Sequence, residues 1–268
     1  MSRGRRGTWA RAAWVAVAAA IVAGGASPRL QAASGGTIKG HIRLMGKLPG
    51  NPVIRMGMDA KCAQMNAGKR TVQESVAAAV DGSLANVFVM LRGTFPQTPV
   101  PAEPVVIDQR GCVYGPRVVG IRQGQALQVR NSDDVLHNVH GSSGRGNGFN
   151  VSEPKAGMVQ TFRLKEEEIM VHLRCDIHSW MTAYIGVVTH PYFAVSDPAG
   201  TFEIANVPVG THTIYLWHER YGPLTQTVDV KAGAATSVEL SYTGTQSPVA
   251  GRGAPLTSIS ADSAPSAV

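Results

Sequence analysis

Short apolar runs separated by turn-forming residues constrain the fold of this 268-residue chain more than any other feature. The run GTIKGHIRL, which begins at Gly36, alternates Ile38, Ile42 and Leu44 with polar residues, and the stretch GKLPGNP then breaks it. Such alternation is typical of strands that bury one face, and turn residues recur about every eight to twelve residues along the chain. The sequence therefore predicts an all-β protein made of sandwiches. One short helix is predicted around Gln73–Val80.

The two ends of the chain differ from this pattern. Four arginines precede an apolar run at Ala12–Ala23, which is typical of a secretory signal peptide. Twelve residues are too few to span a bilayer, which takes about 20. We therefore expect cleavage after residues 1–32, no integral membrane span in the mature chain, and a periplasmic or secreted location. Residues 244–268 contain few large apolar residues and are expected to form a disordered tail.

The charge of the chain does not indicate a nucleic-acid partner. The 25 Lys and Arg exceed the 18 Asp and Glu, but five of the basic residues lie before residue 33, where there is no acidic residue. The mature chain therefore keeps 20 basic and 18 acidic residues, a net charge of +2. No cluster of Lys and Arg with interleaved aromatic residues is present, so a nucleic-acid surface is not expected.

Side chains that can bind metals are concentrated in two short stretches. The sequence CDIHSWM contains Cys175, His178 and Met181, and the upstream sequence NSDDVLHNVH places His137 at the end of a predicted strand. A single buried cysteine is usually a small packing residue. Two imidazoles, one thiolate and one thioether together, however, are the donor set of a mononuclear blue-copper site. The soft sulfur ligands stabilise Cu(I), and imidazole suits both oxidation states.

These motifs resemble those of the cupredoxins. HNVH followed by CDIHSWM is similar to the copper-ligand pattern of that family, and the Cys-x-x-His-x-x-Met loop is similar to the loop of amicyanin-like members. The resemblance implies a Greek-key β-sandwich with one type 1 copper ion. It implies that His137, Cys175 and His178 are equatorial ligands and that Met181 is the axial ligand. Asn138 would then brace the cysteine loop through hydrogen bonds.

Two alternatives stay open at this point. His140 and His172 compete for a ligand position, although the HNV match favours His137, and His172 should point away from Cys175 on an alternating strand. Zinc is a less favoured alternative to copper, because one cysteine and two histidines with a fourth ligand also suit zinc.

The other two cysteines, Cys62 and Cys112, form a possible disulfide. In an exported protein two of three cysteines can pair and leave the third for a metal. The alternative is that both remain unpaired structural thiols.

A second resemblance concerns the regions on either side of the metal motifs. The sequence DPAGTFEIANVPVGTHTIYLWHE, and the opening GTIKGHIRLMGKLPGNPVI, resemble the carboxypeptidase regulatory-like, transthyretin-related β-sandwich. We therefore expect a discontinuous domain, residues 36–99 with 191–243, into which a cupredoxin domain of residues 100–190 is inserted. Bacterial exported proteins of the methylamine-utilisation or plastocyanin-like type combine such modules.

The resemblance to the cupredoxins implies that this chain is a type 1 copper protein that carries single electrons. It also implies that the protein docks to a redox protein of the cell envelope. It is not expected to be an enzyme, because copper oxidases and reductases need a second copper site and the eight histidines include no His-x-His pair to build one. The alternative is a copper-delivery or structural-metal scaffold without electron transfer, for which Met56, Met58 and Met65 are a faint signal. The oligomeric state is left open.

Overall fold

The computed structural model describes residues 35–246, which form sixteen strands and one short helix. In chain order these are β1 (Gly36–Leu44), α1 (Ala60–Met65), β2 (Phe88–Arg92), β3 (Val105–Gln109), β4 (Tyr114–Gly115), β5 (Val118–Arg122), β6 (Ala126–Asn131), β7 (His137–Ser142), β8 (Phe149–Glu153), β9 (Val159–Arg163), β10 (Glu168–Arg174), β11 (Thr182–Val188), β12 (Phe193–Val195), β13 (Thr201–Val207), β14 (Gly210–His218), β15 (Gly222–Val230) and β16 (Ala235–Tyr242). The predicted all-β class is confirmed.

Both ends of the chain lie largely outside the described residues. This holds for the predicted signal peptide, 1–32, and for the predicted tail, 244–268, apart from the first three residues of the tail. Within residues 35–246, no helix has the length and apolar character needed to cross a membrane.

Strands β3 to β11 form two sheets that pack face to face, and we call this pair the central sandwich. One sheet has the order β5-β11-β10-β7-β8, and the other has the order β4-β3-β6-β9. Buried and less buried side chains alternate in β6, as in a strand with one buried face, whereas β5 and β11 are buried along most of their length. Ile107 and Leu127 from the smaller sheet share one apolar core with Val139, Leu173 and Ile185 from the larger one.

The remaining strands form a second pair of sheets, which we call the flanking sandwich. Its sheets have the orders β13-β1-β16 and β12-β2-β14-β15. β1 pairs with β13 in the antiparallel sense and with β16 in the parallel sense. The first strand of the chain is therefore joined to strands that follow the central sandwich in sequence. Ile38 and Ile42 of β1 pack with Leu91 of β2 and Ile214 of β14 in a core of their own.

The two sandwiches contact each other through a third apolar cluster. Phe88 and Tyr215 of the flanking sandwich pack there with Val118 and Val188 of the central sandwich. Glycine is required at Gly186, because a Cβ atom there would lie 2.6 Å from the ring of Phe88. Residues 35–246 belong to one compact unit, so the division into two domains remains a prediction.

The predicted helix at Gln73–Val80 is wrong. That segment is irregular, because the side chain of Asn51 accepts a hydrogen bond from the N–H of Val76 and donates one to its carbonyl, which replaces helical backbone pairing. The helix occurs earlier, at Ala60–Met65, where the Asp59 side chain caps it by accepting the N–H of Cys62. Six residues are too few to show helical periodicity in a sequence.

Candidate metal centre

Two adjacent strands and one loop bring three candidate ligands together. His137 is the first residue of β7, Cys175 directly follows β10, and His178 lies in the loop between β10 and β11. β10 pairs with both β7 and β11, so this loop runs beside the start of β7. The N–H of Cys175 donates to the carbonyl of Met181 at 3.3 Å, and the N–H of Met181 donates to the carbonyl of His178 at 2.9 Å. The loop therefore folds back over its own start.

The side chains of His137, Cys175 and His178 converge on one point. Nδ1 of His137 lies 3.1 Å from Nδ1 of His178, and Sγ of Cys175 lies 3.8 Å from the same His178 nitrogen. The three ligand atoms all lie within 4.8 Å of one another. The exposed fractions of the three residues are 0%, 2% and 2%. A buried set of two imidazoles and one thiol is thus available to a single ion.

The outer nitrogen of each imidazole is held by a carboxylate. Nε2 of His137 lies 3.1 Å from Oδ2 of Asp133, and Nε2 of His178 lies 3.1 Å from Oδ2 of Asp59. When each ring donates its Nε2 proton to its carboxylate, the lone pairs of both Nδ1 atoms face the common point. The two Nδ1 atoms, 3.1 Å apart, can share a proton in a hydrogen bond or both present lone pairs to a metal ion. The donor set therefore fits a bound metal ion.

Hydrogen bonds prepare the thiol of Cys175 to act as a thiolate. Burial opposes its ionisation, but the hydrogen bond with His137 and the backbone N–H groups of His178 and Asn138 outweigh burial and lower its pKa. The two N–H groups lie 3.4 and 3.3 Å from the sulfur. Because the thiolate is the form that binds metals, these contacts favour ligation.

Hydrogen bonds also stabilise the protonated, positively charged form of the His137 imidazole. Burial lowers the pKa of its imidazole, but the hydrogen bonds with Asp133 and Cys175 outweigh burial and raise it to about 9. The negative groups around His137 therefore favour a positive charge at this position, whether a proton or a metal ion supplies it.

The two remaining predicted site residues lie next to this cluster. Met181 is fully buried in the central core, and its backbone is hydrogen-bonded to Cys175 and His178 as described above. The side-chain oxygen of Asn138 accepts the N–H of Asp176 at 3.2 Å, and its amide donates to the carbonyl of Val151 at 3.1 Å. Asn138 thus ties β7 and β8 to the cysteine loop.

The competing histidines lie elsewhere. His140 is paired with the carboxylate of Asp176 at 2.8 Å on the surface. His172 stacks on Tyr184 and contacts the hydroxyl of Thr182. Neither histidine belongs to the groups of metal-capable side chains found in the described part of the chain.

The structure joins Cys62 to Cys112 by a disulfide. The bridge lies beside the cluster, since Sγ of Cys62 is 3.6 Å from Nε2 of His178. The indole N–H of Trp180, two residues after His178, donates to the carbonyl of Cys112 at 2.8 Å. Cys175 is consequently the one free cysteine of the chain.

Sequence reasoning missed both carboxylates. Asp133 stands four residues before His137, a spacing that could have drawn attention to it. Asp59 is separated from His178 by 119 positions and carries no local motif, so no sequence signal indicated it.

No protein-family model matches the chain, and no curated protein sequence matches it. Among solved structures, a Cu-containing nitrite reductase (NirK) from Thermus scotoductus SA-01 is 19% identical over 35% of this chain and 25% of that one, with a TM-score of 0.30. A purple cupredoxin from Nitrosopumilus maritimus is 21% identical over 31% of this chain and 99% of that one, with a TM-score of 0.28. A mutant of amicyanin with Cu(I) is 17% identical over 37% of this chain and 98% of that one, with a TM-score of 0.29. The chain spans a quarter of the length of the nitrite reductase.

Proposed function

We propose that the protein binds one copper ion through His137, Cys175 and His178 and carries single electrons. The observation that supports this most directly is the convergence of two imidazole Nδ1 atoms and one thiol sulfur in a buried cluster. Copper supplies a one-electron couple between Cu(I) and Cu(II) when it is bound. The protein supplies a fixed set of ligands that suits both oxidation states, so little rearrangement accompanies the change.

The positions of the ligands favour copper over zinc. A structural zinc site needs four ligands in a tetrahedron. The two carboxylates near the cluster are on Asp59 and Asp133, but they contact the outer Nε2 atoms rather than the side where the Nδ1 atoms meet. The backbone of Met181 is hydrogen-bonded to Cys175 and His178, which supports its thioether as a fourth ligand, and a soft, weak ligand suits copper. We propose that Met181 is the axial ligand.

Electron transfer fits the site better than catalysis does. The three ligands are 2% exposed or less, and such burial supports electron transfer more than direct binding of a substrate to the metal. Electrons can tunnel to a buried centre, whereas a bound substrate needs an open coordination position. The partner we propose is a redox protein of the cell envelope, and the disulfide is consistent with a periplasmic or secreted location.

A copper-delivery role has less support. Such a role favours exposed methionines that can exchange the metal. Of the three methionines near Cys62, Met58 is 97% exposed but Met56 is buried.

We propose that the flanking sandwich, predicted as residues 36–99 with 191–243, is a separate domain that docks the central one to a partner. Residues 56–66 are an exception, because Met56 and Cys62 pack in the central core.

Addition of Cu(II) to the purified protein tests the proposal. We expect one equivalent to bind, with an intense visible thiolate-to-copper band and a narrow copper hyperfine splitting. The Cys175→Ser variant should lose the band and keep its far-ultraviolet circular dichroism, because a hydroxyl cannot replace the soft thiolate. A colourless wild-type protein that retains zinc instead would contradict electron transfer and support a structural metal.

A further inference from the structure

His178 is covered on its outer side by residues 56–66, which contain α1 and which we call the cover. Oδ2 of Asp59 lies 3.1 Å from Nε2 of His178, and Sγ of Cys62 lies 3.6 Å from the same nitrogen. His178 is only 2% exposed as a result. The imidazole edge that points away from the candidate metal therefore faces a segment that is more than a hundred residues distant in sequence.

Asp59 uses both of its carboxylate oxygens. Oδ1 accepts the N–H of Cys62 at 2.9 Å and so caps α1, while Oδ2 contacts the ring of His178. One side chain thus fixes the start of the helix and the orientation of the imidazole. A serine at this position could still cap the helix, but its shorter side chain lacks the second oxygen that reaches the ring of His178.

Three further attachments fix the cover to the central sandwich. The disulfide links Cys62 to Cys112. The side-chain amide of Asn66 donates at 2.9 Å to the carbonyl of the residue before Cys112. At the other edge, Nζ of Lys61 donates to the carbonyl of Asp134 at 2.8 Å. The cover cannot leave His178 without breaking these contacts.

The two candidate histidine ligands depend on the cover to different degrees. Asp133, which holds His137, belongs to the turn just before β7 and accepts the N–H groups of Gly111 and Cys112 at 2.7 and 2.8 Å. Its position is set by the central sandwich itself. Asp59 reaches His178 only because the cover is docked, so a displaced cover frees the outer nitrogen of His178 alone.

We propose that Asp59 is a positioning residue for His178 and that the disulfide-held cover carrying it limits how fast the metal leaves the site. The inference rests on the proposed function, because it requires a metal on Nδ1 of His178. Dissociation needs the imidazole to turn away from the metal, and the carboxylate and the Cys62 sulfur occupy the space beyond its outer edge. Loss of an outer hydrogen bond to a metal-binding histidine weakens metal binding by about 10- to 100-fold.

The test compares wild type with Asp59→Ser in the full chain. Each protein is loaded with Co(II), which gives a thiolate charge-transfer band, and the loss of that band to excess EDTA is followed. We expect Asp59→Ser to release Co(II) about 10- to 100-fold faster. Asp59→Glu, which keeps two oxygens and the charge, should recover part of the slow release. Asp81→Ser, which removes a carboxylate that caps a turn in the flanking sandwich, should not change the rate.

A second measurement needs no metal. In the ¹⁵N-labelled apo-protein, the Nε2–H resonance of His178 should be protected from exchange with water in wild type and lost in Asp59→Ser, while the amides of α1 keep their protection. The double variant Cys62→Ala with Cys112→Ala should release Co(II) faster than wild type, because the cover has lost its covalent attachment.

The outcomes separate the two proposals. Equal release rates in wild type, Asp59→Ser and the double variant would overturn the role of the cover and leave the metal site intact. Failure of the wild type to bind either Cu(II) or Co(II) would overturn the proposed function and, with it, control of metal release. In that event the Nε2–H resonance still decides whether Asp59 positions the ring.

Discussion

The central and flanking sandwiches have the same architecture but differ in what they bury. The core of the flanking sandwich is aliphatic and aromatic, and its buried polar side chains are few, such as Ser83, Ser196 and His218. The central sandwich buries a larger polar set: Gln109, Arg122, Gln125, Asn131, Asp133, His137, Asn138, Asn147, Glu153, Glu168 and His178. Buried polar groups destabilise a fold unless they are hydrogen-bonded. The candidate metal cluster belongs to this buried polar set, and the flanking sandwich has no comparable set among the described residues.

Buried histidines make the contrast sharper. Burial lowers the pKa of His190 to about 4 and that of His218 to about 3, and neither ring has a carboxylate partner. For His137, burial acts in the same direction, but Asp133 and Cys175 outweigh it and raise the pKa to about 9. The same side chain is therefore a neutral packing group in one region and a site prepared for positive charge in the other.

Matched cavities in the two cores should give the largest effects. Leu173 and Leu91 are both fully buried, one in each sandwich. We expect Leu173→Ala and Leu91→Ala each to lower the free energy of unfolding by about 2 to 5 kcal/mol. Only Leu173→Ala, two residues before Cys175, should also weaken copper binding. Denaturant unfolding and copper titration check this, and equal copper affinities in the two variants would remove the distinction between the regions.

Loss of a buried polar side chain should have a smaller effect that differs between the regions. Asn131 donates to the carbonyls of Val135 and Glu153, both at 2.9 Å, and thereby shapes the turn before His137. Ser196 makes comparable contacts in the flanking sandwich. We expect Asn131→Ala and Ser196→Ala each to lower the free energy of unfolding by about 1 to 3 kcal/mol. Copper affinity should fall only in Asn131→Ala. A fall of equal size in Ser196→Ala would contradict the expectation that only the central sandwich supports the metal site.

The pH dependence of stability should reflect His218. Its folded pKa, about 3, lies below its usual value of 6.5, so the unfolded chain binds the proton first as the pH falls. Its contribution to stability is complete above pH 6.5 and is lost progressively towards pH 3. Denaturant unfolding of the apo-protein between pH 4 and 6.5 gives the slope of the unfolding free energy against pH, which measures the protons taken up on unfolding. We expect this slope to correspond to about one proton fewer in His218→Asn than in wild type. An unchanged slope would mean that His218 is already protonated in the folded state.

Met181 should give the smallest effect. An axial thioether contributes little to holding copper and mainly tunes its potential. Met181→Leu should therefore keep the metal and its visible band while raising the reduction potential, because removal of an electron-donating ligand disfavours Cu(II). Voltammetry checks the shift. If the potential and the spectrum both stay at their wild-type values, Met181 is a packing residue and the site has three ligands or another cap.

Sequence alone could predict the parts of the site that depend on local order. Cys175 and His178 share one short loop, and His137 follows a recognisable polar turn, so motif spacing indicated all three. Strands such as β1 and β16 could be predicted because they bury alternate residues. The helix α1 and its cap Asp59 could not be predicted, because six residues show no period and the contact of Asp59 with His178 joins distant segments. The segment 73–80 is not helical because the side chain of Asn51 hydrogen-bonds to the backbone of Val76, a contact that the composition of the segment does not reveal.

X-ray absorption at the copper edge of the loaded protein shows directly which atoms surround the metal. We expect one sulfur and two nitrogen neighbours at bond lengths of about 2.0 to 2.3 Å, as a thiolate and two imidazoles give. In Cys175→Ser the sulfur contribution at this distance should disappear. A copper surrounded only by nitrogen and oxygen in the wild-type protein would contradict the assignment of Cys175, His137 and His178 as one metal centre.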